Sequence, residues 1–302
     1  MRIVVIPTQG LANRLRAIAS ARVLADFMNT TLHMVWVPEA ACNCTFDSLF
    51  DSPRIPTINI DTDVASKTYL YKPNMHTSSL LQENLPLNAY DFLVIRGGHE
   101  FRHPHMTEDE FIARKCAFYG TFVPKDSIQQ QVLTPPGPCV AIHFRDFIPR
   151  YDAADGRDFS QVSPLHLFVE RVRTMSRRNP RLHFLLCSNT NKAYEALNEV
   201  LPTGRLWYRN SVVQQRDSAK GIADALTDII AMSRCDLILG TSMSSFSDEA
   251  CFWGETLKLC IGDDALKQYH CHGWRKLCDG ESVVLGLPEI ESMQRLHEFI
   301  RT

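Results

Sequence analysis

The sequence predicts two α/β domains in series, each a parallel sheet flanked by helices. Three observations point there. The chain opens as strand, helix and strand; its second half alternates strands with helices; and Leu133-Thr134-Pro135-Pro136-Gly137-Pro138 separates the two halves. Prolines and glycine at that density can neither continue a helix nor enter a sheet interior. Strands joined through helices pair in parallel, with the helices covering the sheet faces. The expected division is a domain over 1–135, a second over 136–288 and a terminal helix over 289–302. A length of 302 residues is enough for two cores.

Taken in order, Ile3 to Ile6 is a β-branched run ending in the turn Pro7-Thr8-Gln9-Gly10. Leu11, Leu15, Ile18, Ala21, Ala25 and Met28 then recur at helical steps and give one apolar face. Leu32 to Val37 is a second strand, and residues 38–90, rich in proline and polar side chains, read as elaborated loops. Phe92 to Ile95 is a strand running into Arg96-Gly97-Gly98-His99, and Glu108 to Tyr119 is a helix. After the proline-rich linker come strand Val140–Phe144, a polar loop, and a helix from Pro164 to Arg177, where proline suits a first turn. Strand Phe184–Cys187, a helix ending near Val200, strand Leu206–Tyr208, helix Ile222–Arg234 and strand Asp236–Leu239 follow. Thr241-Ser242-Met243-Ser244-Ser245 opens another helix, and Leu257–Ile261 is the last clear strand. Ile290, Met293, Leu296 and Ile300 make an apolar stripe on the terminal helix.

Bulk composition excludes several classes. Hydrophobic content of 45% and charged content of 22% are those of an ordinary globular protein. A formal charge of -2 without any long basic run argues against a nucleic-acid partner. No apolar run approaches the ~18–20 residues of a membrane span. With no secretory segment before the first strand, a cytoplasmic location is expected, a Golgi or endoplasmic-reticulum lumen only if the N-terminus is truncated. Of ten cysteines, Cys139, Cys187, Cys235 and Cys260 lie in apolar runs and read as core. Cys42, Cys44, Cys271 and Cys278 lie in polar, loop-like contexts and would pair only in an oxidising compartment, so reduced thiols are expected. Cys271, His272 and Cys278 match no common zinc spacing, and no metal is expected.

Open parallel sheets bind ligands beyond the carboxyl ends of their strands, near helix N-termini. Gly10 to Asn13, His143 with Arg145, Ser188 to Thr190 and Thr241 to Ser245 all fall at such places. Residues two apart on a strand share a face, so His143 and Arg145 should leave the sheet together. A permanently charged, forked guanidinium suits a phosphate or diphosphate. Thr241, Ser242, Ser244, Ser245 and Ser247 have an alternative reading as a plain helix cap. One cap needs one hydroxyl and five are present, which favours phosphate binding.

Gly10-Leu11-Ala12-Asn13-Arg14-Leu15 resembles the glycine–asparagine turn of the GDP-fucose-dependent fucosyltransferases, a superfamily of α-1,2-, α-1,6- and protein O-fucosyltransferases. His143-Phe144-Arg145 is similar to their His-x-Arg motif, and Asp228 through Asp236 to Ser245 resembles their third motif. The resemblance spans most of the chain. It implies a GT-B fold, two facing Rossmann-like domains with the terminal helix returning to the first. It further implies a donor, GDP-fucose, held mainly by the second domain, a carbohydrate or protein acceptor on the first, and neither cofactor nor obligatory metal. No DxD-type carboxylate pair follows a strand, which agrees. On this resemblance Arg145 neutralises the departing diphosphate, Ser244 and Ser245 hold its β-phosphate, and His143 and Asp228 hold the nucleoside end or orient neighbours. Gly10, Ala12 and Asn13 approach from the first domain, while Ser188, Asn189 and Thr241 complete the donor side.

The chain also departs from that pattern. Ala12 stands where many relatives have glycine, and Asp146 where some carry a second arginine. Gln9 stands where one subfamily has a glutamate base, and an amide cannot take a proton. Asp146, Asp152, Glu100 and His99 are the remaining candidates for a base, each with a structural role as the alternative. Competing readings are another nucleotide-sugar donor, a non-catalytic GDP- or glycan-binding module, and a serine hydrolase, which lacks its Gly-x-Ser-x-Gly elbow.

Overall fold

A computed structural model describes residues 1–58, 68–72, 90–146, 158–210 and 217–262. The chain is an α/β protein that divides into two compact units, Met1–Gln131 with Val213–Thr227, and Val132–Val212 with Asp228–Thr302. The expected terminal helix over 289–302 lies outside the described residues.

In the first unit β1 (Arg2–Pro7), β2 (Leu32–Met34), β4 (Thr68–Tyr71) and β5 (Phe92–Gly97) form a parallel sheet in the order β2-β1-β5-β4. Ile3, Val4, Val5, Leu93 and Ile95 are buried, as a β-branched strand covered on both faces requires. Helix α1 (Leu11–Phe27) differs from the one-faced helix expected: Ala12, Arg14, Ala17, Ala19, Ser20, Val23 and Leu24 are buried too. Its small residues allow close approach on several sides, so it runs through the interior. β2 stops at Met34, short of Val37, because the chain turns there to lay Trp36 against Arg14, with the guanidinium carbon 4.7 Å from the ring centre. The irregular region contains β3 (Phe50–Ser52), which pairs antiparallel with β6 (Val123–Pro124). Helix α2 (Glu108–Tyr119) is capped by Thr107, whose hydroxyl accepts from the Glu110 N–H, and three acidic residues in its first turn suit the helix dipole. The short α3 (Asp126–Gln129) ends this stretch.

The second unit holds β7 (Cys139–Phe144), α4 (Phe159–Val162), α5 (Leu165–Arg178), β8 (His183–Ser188), α6 (Asn191–Asn198) and β9 (Leu206–Tyr208). Helix α7 (Ala219–Ser233), shared between the units, leads to β10 (Leu237–Thr241), α8 (Ser245–Gly254) and β11 (Leu257–Ile261). Pro164 is the N-cap of α5 rather than its first residue, since its ψ of 138° is still extended. The strands are all parallel, ordered β11-β10-β7-β8-β9. The chain builds outward from β7 to β9, then returns to the other side of β7 for β10. That reversal makes the carboxyl ends of β7 and β10 the topological switch point, the usual ligand position in such sheets. Beneath it Val140, Ile142, Phe168, Val172, Phe184, Leu237 and Leu239 form one core.

Candidate functional site

At this switch point β7 places His143 beside Gly240 of β10. The Thr241 hydroxyl donates to the His143 carbonyl at 3.0 Å and accepts from the Arg145 N–H at 2.9 Å. One side chain thus pins the point where Arg145 leaves the sheet. The Arg145 guanidinium lies 3.8 Å from the centre of the Phe159 ring, a cation–π stack that fixes its plane. Asn189 fixes the next residue: its Oδ1 accepts from the Asp146 N–H at 2.8 Å and its Nδ2 donates to the Asp146 carbonyl at 3.0 Å. The Asp146 carboxylate accepts from Lys192 Nζ at 3.0 Å. Ser188 Oγ accepts from the Thr190 N–H at 3.2 Å, so it closes the turn before α6.

His143 and Arg145, two apart at the end of β7, have different neighbours. The imidazole is buried, with Nδ1 3.0 Å from Ser247 Oγ and the ring 5.1 Å from that of Phe246. Burial, then the charges of Lys258 and Arg145, push its pKa down to about 3, so the ring is neutral at pH 7.

The turn from β10 into α8 carries the hydroxyls. Met243 adopts a left-handed φ of 59°, and the Ser242 N–H donates to Ser163 Oγ at 2.8 Å. Ser244 is the N-cap of α8, yet its side chain makes no capping bond. The hydroxyls of Ser242 and Ser244 are buried and meet no partner among the described residues. Buried hydroxyls are ordinarily bonded, so these two, at a helix N-terminus, are suited to oxygens of an anionic ligand. Ser245 is half-buried at the first position of the helix.

Sequence reasoning missed what lies beneath this turn. Lys258, fully buried in β11, donates to Asp248 at 2.6 Å, to the Thr241 carbonyl at 3.2 Å and to the Ser244 carbonyl at 3.5 Å. Burial disfavours its charge, but the charge and hydrogen bond of the Asp248 carboxylate, together with the neighbouring Cys260 and Cys251, outweigh this and the pKa is raised. A Cβ on Gly240 would lie 2.4 Å from Lys258 Cε, so glycine there makes room for the lysine. The legible signal was a lysine inside the apolar strand Leu257–Ile261. Phe159 and Ser163, from the polar loop, gave none.

Asp228 receives Nε and Nη2 of Arg209 on its Oδ1, at 2.9 and 2.7 Å. In the first unit Gly10 is the N-cap of α1 and Ala12 is buried in its first turn. Asn13 Nδ2 donates to Gln9 Oε1 at 2.7 Å, and Gln9 itself has a φ of 70°. A Cβ on Gly98 would lie 2.8 Å from the Asn13 Cβ, so a glycine after β5 is what lets this turn pack there. Among the candidate bases Glu100 is bonded to buried Lys115 at 2.7 Å, His99 follows β5, and Asp152 lies outside the described residues.

No protein-family model matches the chain, and no curated protein matches it significantly. Solved structures do. A variant of Arabidopsis thaliana FUT1 in complex with GDP superposes with a TM-score of 0.58 at 14% identity, over 87% of this chain and 71% of that one. NodZ α-1,6-fucosyltransferase soaked with GDP-fucose, an enzyme also solved from Bradyrhizobium, gives 0.55 at 14% identity, over 85% and 94%. POFUT1 in complex with GDP gives 0.53 at 13% identity, over 87% and 98%. The chain has the fold of these fucosyltransferases. Among the described residues no helix is long and apolar enough to cross a membrane.

Proposed function

We propose that the protein is an inverting, metal-independent GT-B glycosyltransferase that moves L-fucose from GDP-fucose to a hydroxyl of a glycan or protein. One observation carries the reading: a stacked arginine follows β7 and two buried serine hydroxyls follow its neighbour β10, on either side of the sheet switch point of a fold whose solved examples bind GDP. The second unit then holds the donor and the first the acceptor.

Cleavage of the fucosyl–phosphate bond leaves positive charge on the sugar and negative charge on the diphosphate. Stabilising that leaving charge is the main catalytic task. Arg145 supplies a fixed cation, and its plane is set by Phe159 before substrate arrives. Ser242, Ser244 and the first N–H groups of α8 supply donors to the phosphate oxygens. His143, neutral, contributes shape and a hydrogen bond to Ser247 rather than charge. Asp146 is the nearest carboxylate to Arg145 in sequence and, tied to Lys192, is the candidate to receive the acceptor proton.

The test is a thermal-shift comparison of GDP, UDP, CDP and ADP, followed by transfer from labelled GDP-fucose. Stabilisation by GDP alone, with fucose appearing on an acceptor, is the expected result. Stabilisation by UDP instead replaces the donor, and GDP binding without hydrolysis or transfer leaves a binding module. Arg145→Ala and Arg145→Lys are each expected to lower turnover by more than about tenfold, since lysine lacks the bidentate fork. Near-normal turnover of both removes Arg145 from the mechanism.

A further inference from the structure

Cys42 and Cys44 were expected in a polar loop; both are buried, and their sulfurs lie 4.0 Å apart. The backbone between them is already folded for convergence. The Cys44 N–H donates to the Cys42 carbonyl at 3.1 Å, an i to i+2 bond that closes a three-residue turn around Asn43. Cys42 and Glu39 exchange two further main-chain bonds, at 2.8 and 3.2 Å, which hold the turn's base. The Trp36 indole N–H donates to the Cys44 carbonyl at 2.7 Å, and the buried Arg14 guanidinium stacks on that indole. Arg14 in turn donates to the Gln9 and Val37 carbonyls at 2.9 and 2.7 Å, so the thiol pair shares one cluster with the turn after β1.

We infer that Cys42 and Cys44 are a reversible thiol–disulfide couple, a modification site oxidised by hydrogen peroxide. The two sulfurs differ in character. The hydrogen bond shared with Cys42 lowers the pKa of Cys44 despite its burial, and the Arg14 charge acts in the same direction. Cys42 keeps its proton, pushed up by the same bond and by burial. The Cys44 thiolate is therefore the nucleophile. It attacks one peroxide oxygen, the O–O bond breaks, and Cys44 becomes a sulfenic acid as hydroxide leaves and takes a proton to form water. The Cys42 sulfur then attacks the Cys44 sulfur, the S–O bond breaks, and the released hydroxide takes the Cys42 proton. Two thiols and one peroxide give one disulfide and two waters; the sulfurs lose the two electrons that the peroxide gains.

A second pair supplies the internal control. Cys139 and Cys235 are closer, at 3.5 Å, but the Cys235 thiol is pushed well up by its bond to Cys139 and by burial. Proximity alone would oxidise that pair first. The experiment treats the reduced full-length protein with hydrogen peroxide, quenches in acid, alkylates free thiols after denaturation and maps them by mass spectrometry. The peptide holding Cys42 and Cys44 is expected to lose two hydrogens at least about tenfold faster than Cys139 and Cys235 lose alkylation, and dithiothreitol should restore it. In Cys42→Ser, Cys44 should instead be trapped by dimedone as the sulfenic acid. Equal or faster oxidation of Cys139 and Cys235, or a Cys42–Cys44 peptide that stays reduced or passes to irreversible acids, overturns the inference. The wild-type measurement stands whether or not the variant folds.

Discussion

Ser244 occupies the cap position of α8 with a buried hydroxyl that caps nothing. Stability gains little from such a group, which suits it to the ligand proposed above. Ser244→Ala is expected to leave the melting temperature unchanged or slightly raised while weakening GDP by roughly tenfold or more, the worth of a hydrogen bond to a charged group. Calorimetric titration beside a thermal melt reads both; an unchanged GDP affinity removes Ser244 from the site. His143 makes a pH dependence. Unfolded, it takes up a proton near pH 6.5; folded, only near about 3. Between those values the unfolded chain binds more protons, so stability falls as pH falls. The loss from this residue should approach roughly 3 kcal/mol by about pH 4.5. Urea titrations across that range should show the slope in the wild type and a flatter one in His143→Gln.

The β10–α8 turn with β11 is the element on which the site depends. Its shape rests on Lys258, which draws the Thr241 and Ser244 carbonyls inward beneath the turn. Lys258→Met leaves Asp248 buried without its cation and is expected to cost about 3–5 kcal/mol. Adding Asp248→Leu should recover most of that stability, because a buried ion pair is often replaceable by apolar groups. Nucleotide affinity should stay low in the double variant, since the two carbonyls still lack their donor. Recovery of stability and affinity together would show that the turn holds its shape unaided. Gly240→Ala should destabilise by roughly 1–3 kcal/mol through its clash with Lys258.

At the scale of the molecule, the first compact unit is discontinuous in sequence, because Val213–Thr227 belongs with Met1–Gln131. Asn43, whose Nδ2 donates to the Asp217 carbonyl at 2.9 Å, is one point of attachment. A fragment of residues 1–131 lacks this segment and is expected to melt at lower temperature than the same unit within the full chain. A fragment that melts like the intact unit would show that the returning segment contributes no stability.

Strand and helix boundaries were largely written in local pattern. Glu108–Tyr119, Leu206–Tyr208 and Leu257–Ile261 agree residue for residue with the sequence reading. The polar stretches after β7, β8 and β10 were visible as well, because each follows an apolar run that must be a buried strand. Local pattern could not say which partners those side chains meet. The one-faced reading of α1 failed because alanines are silent about burial, and the polar look of Cys42-Asn43-Cys44 hid thiols that long-range packing buries. What the sequence determined by itself was the alternation of strands and helices and the chemical types at the strand ends, since both arise from neighbours along the chain. Only the tertiary structure decided that β10 lies beside β7, that His143 is neutral, and that Lys258 underlies the serine turn. The first two depend on contacts between β7 and the β10–α8 segment, 98 and 104 residues along the chain from it, and the third on β11 pairing beside β10, all set by the sheet's strand order.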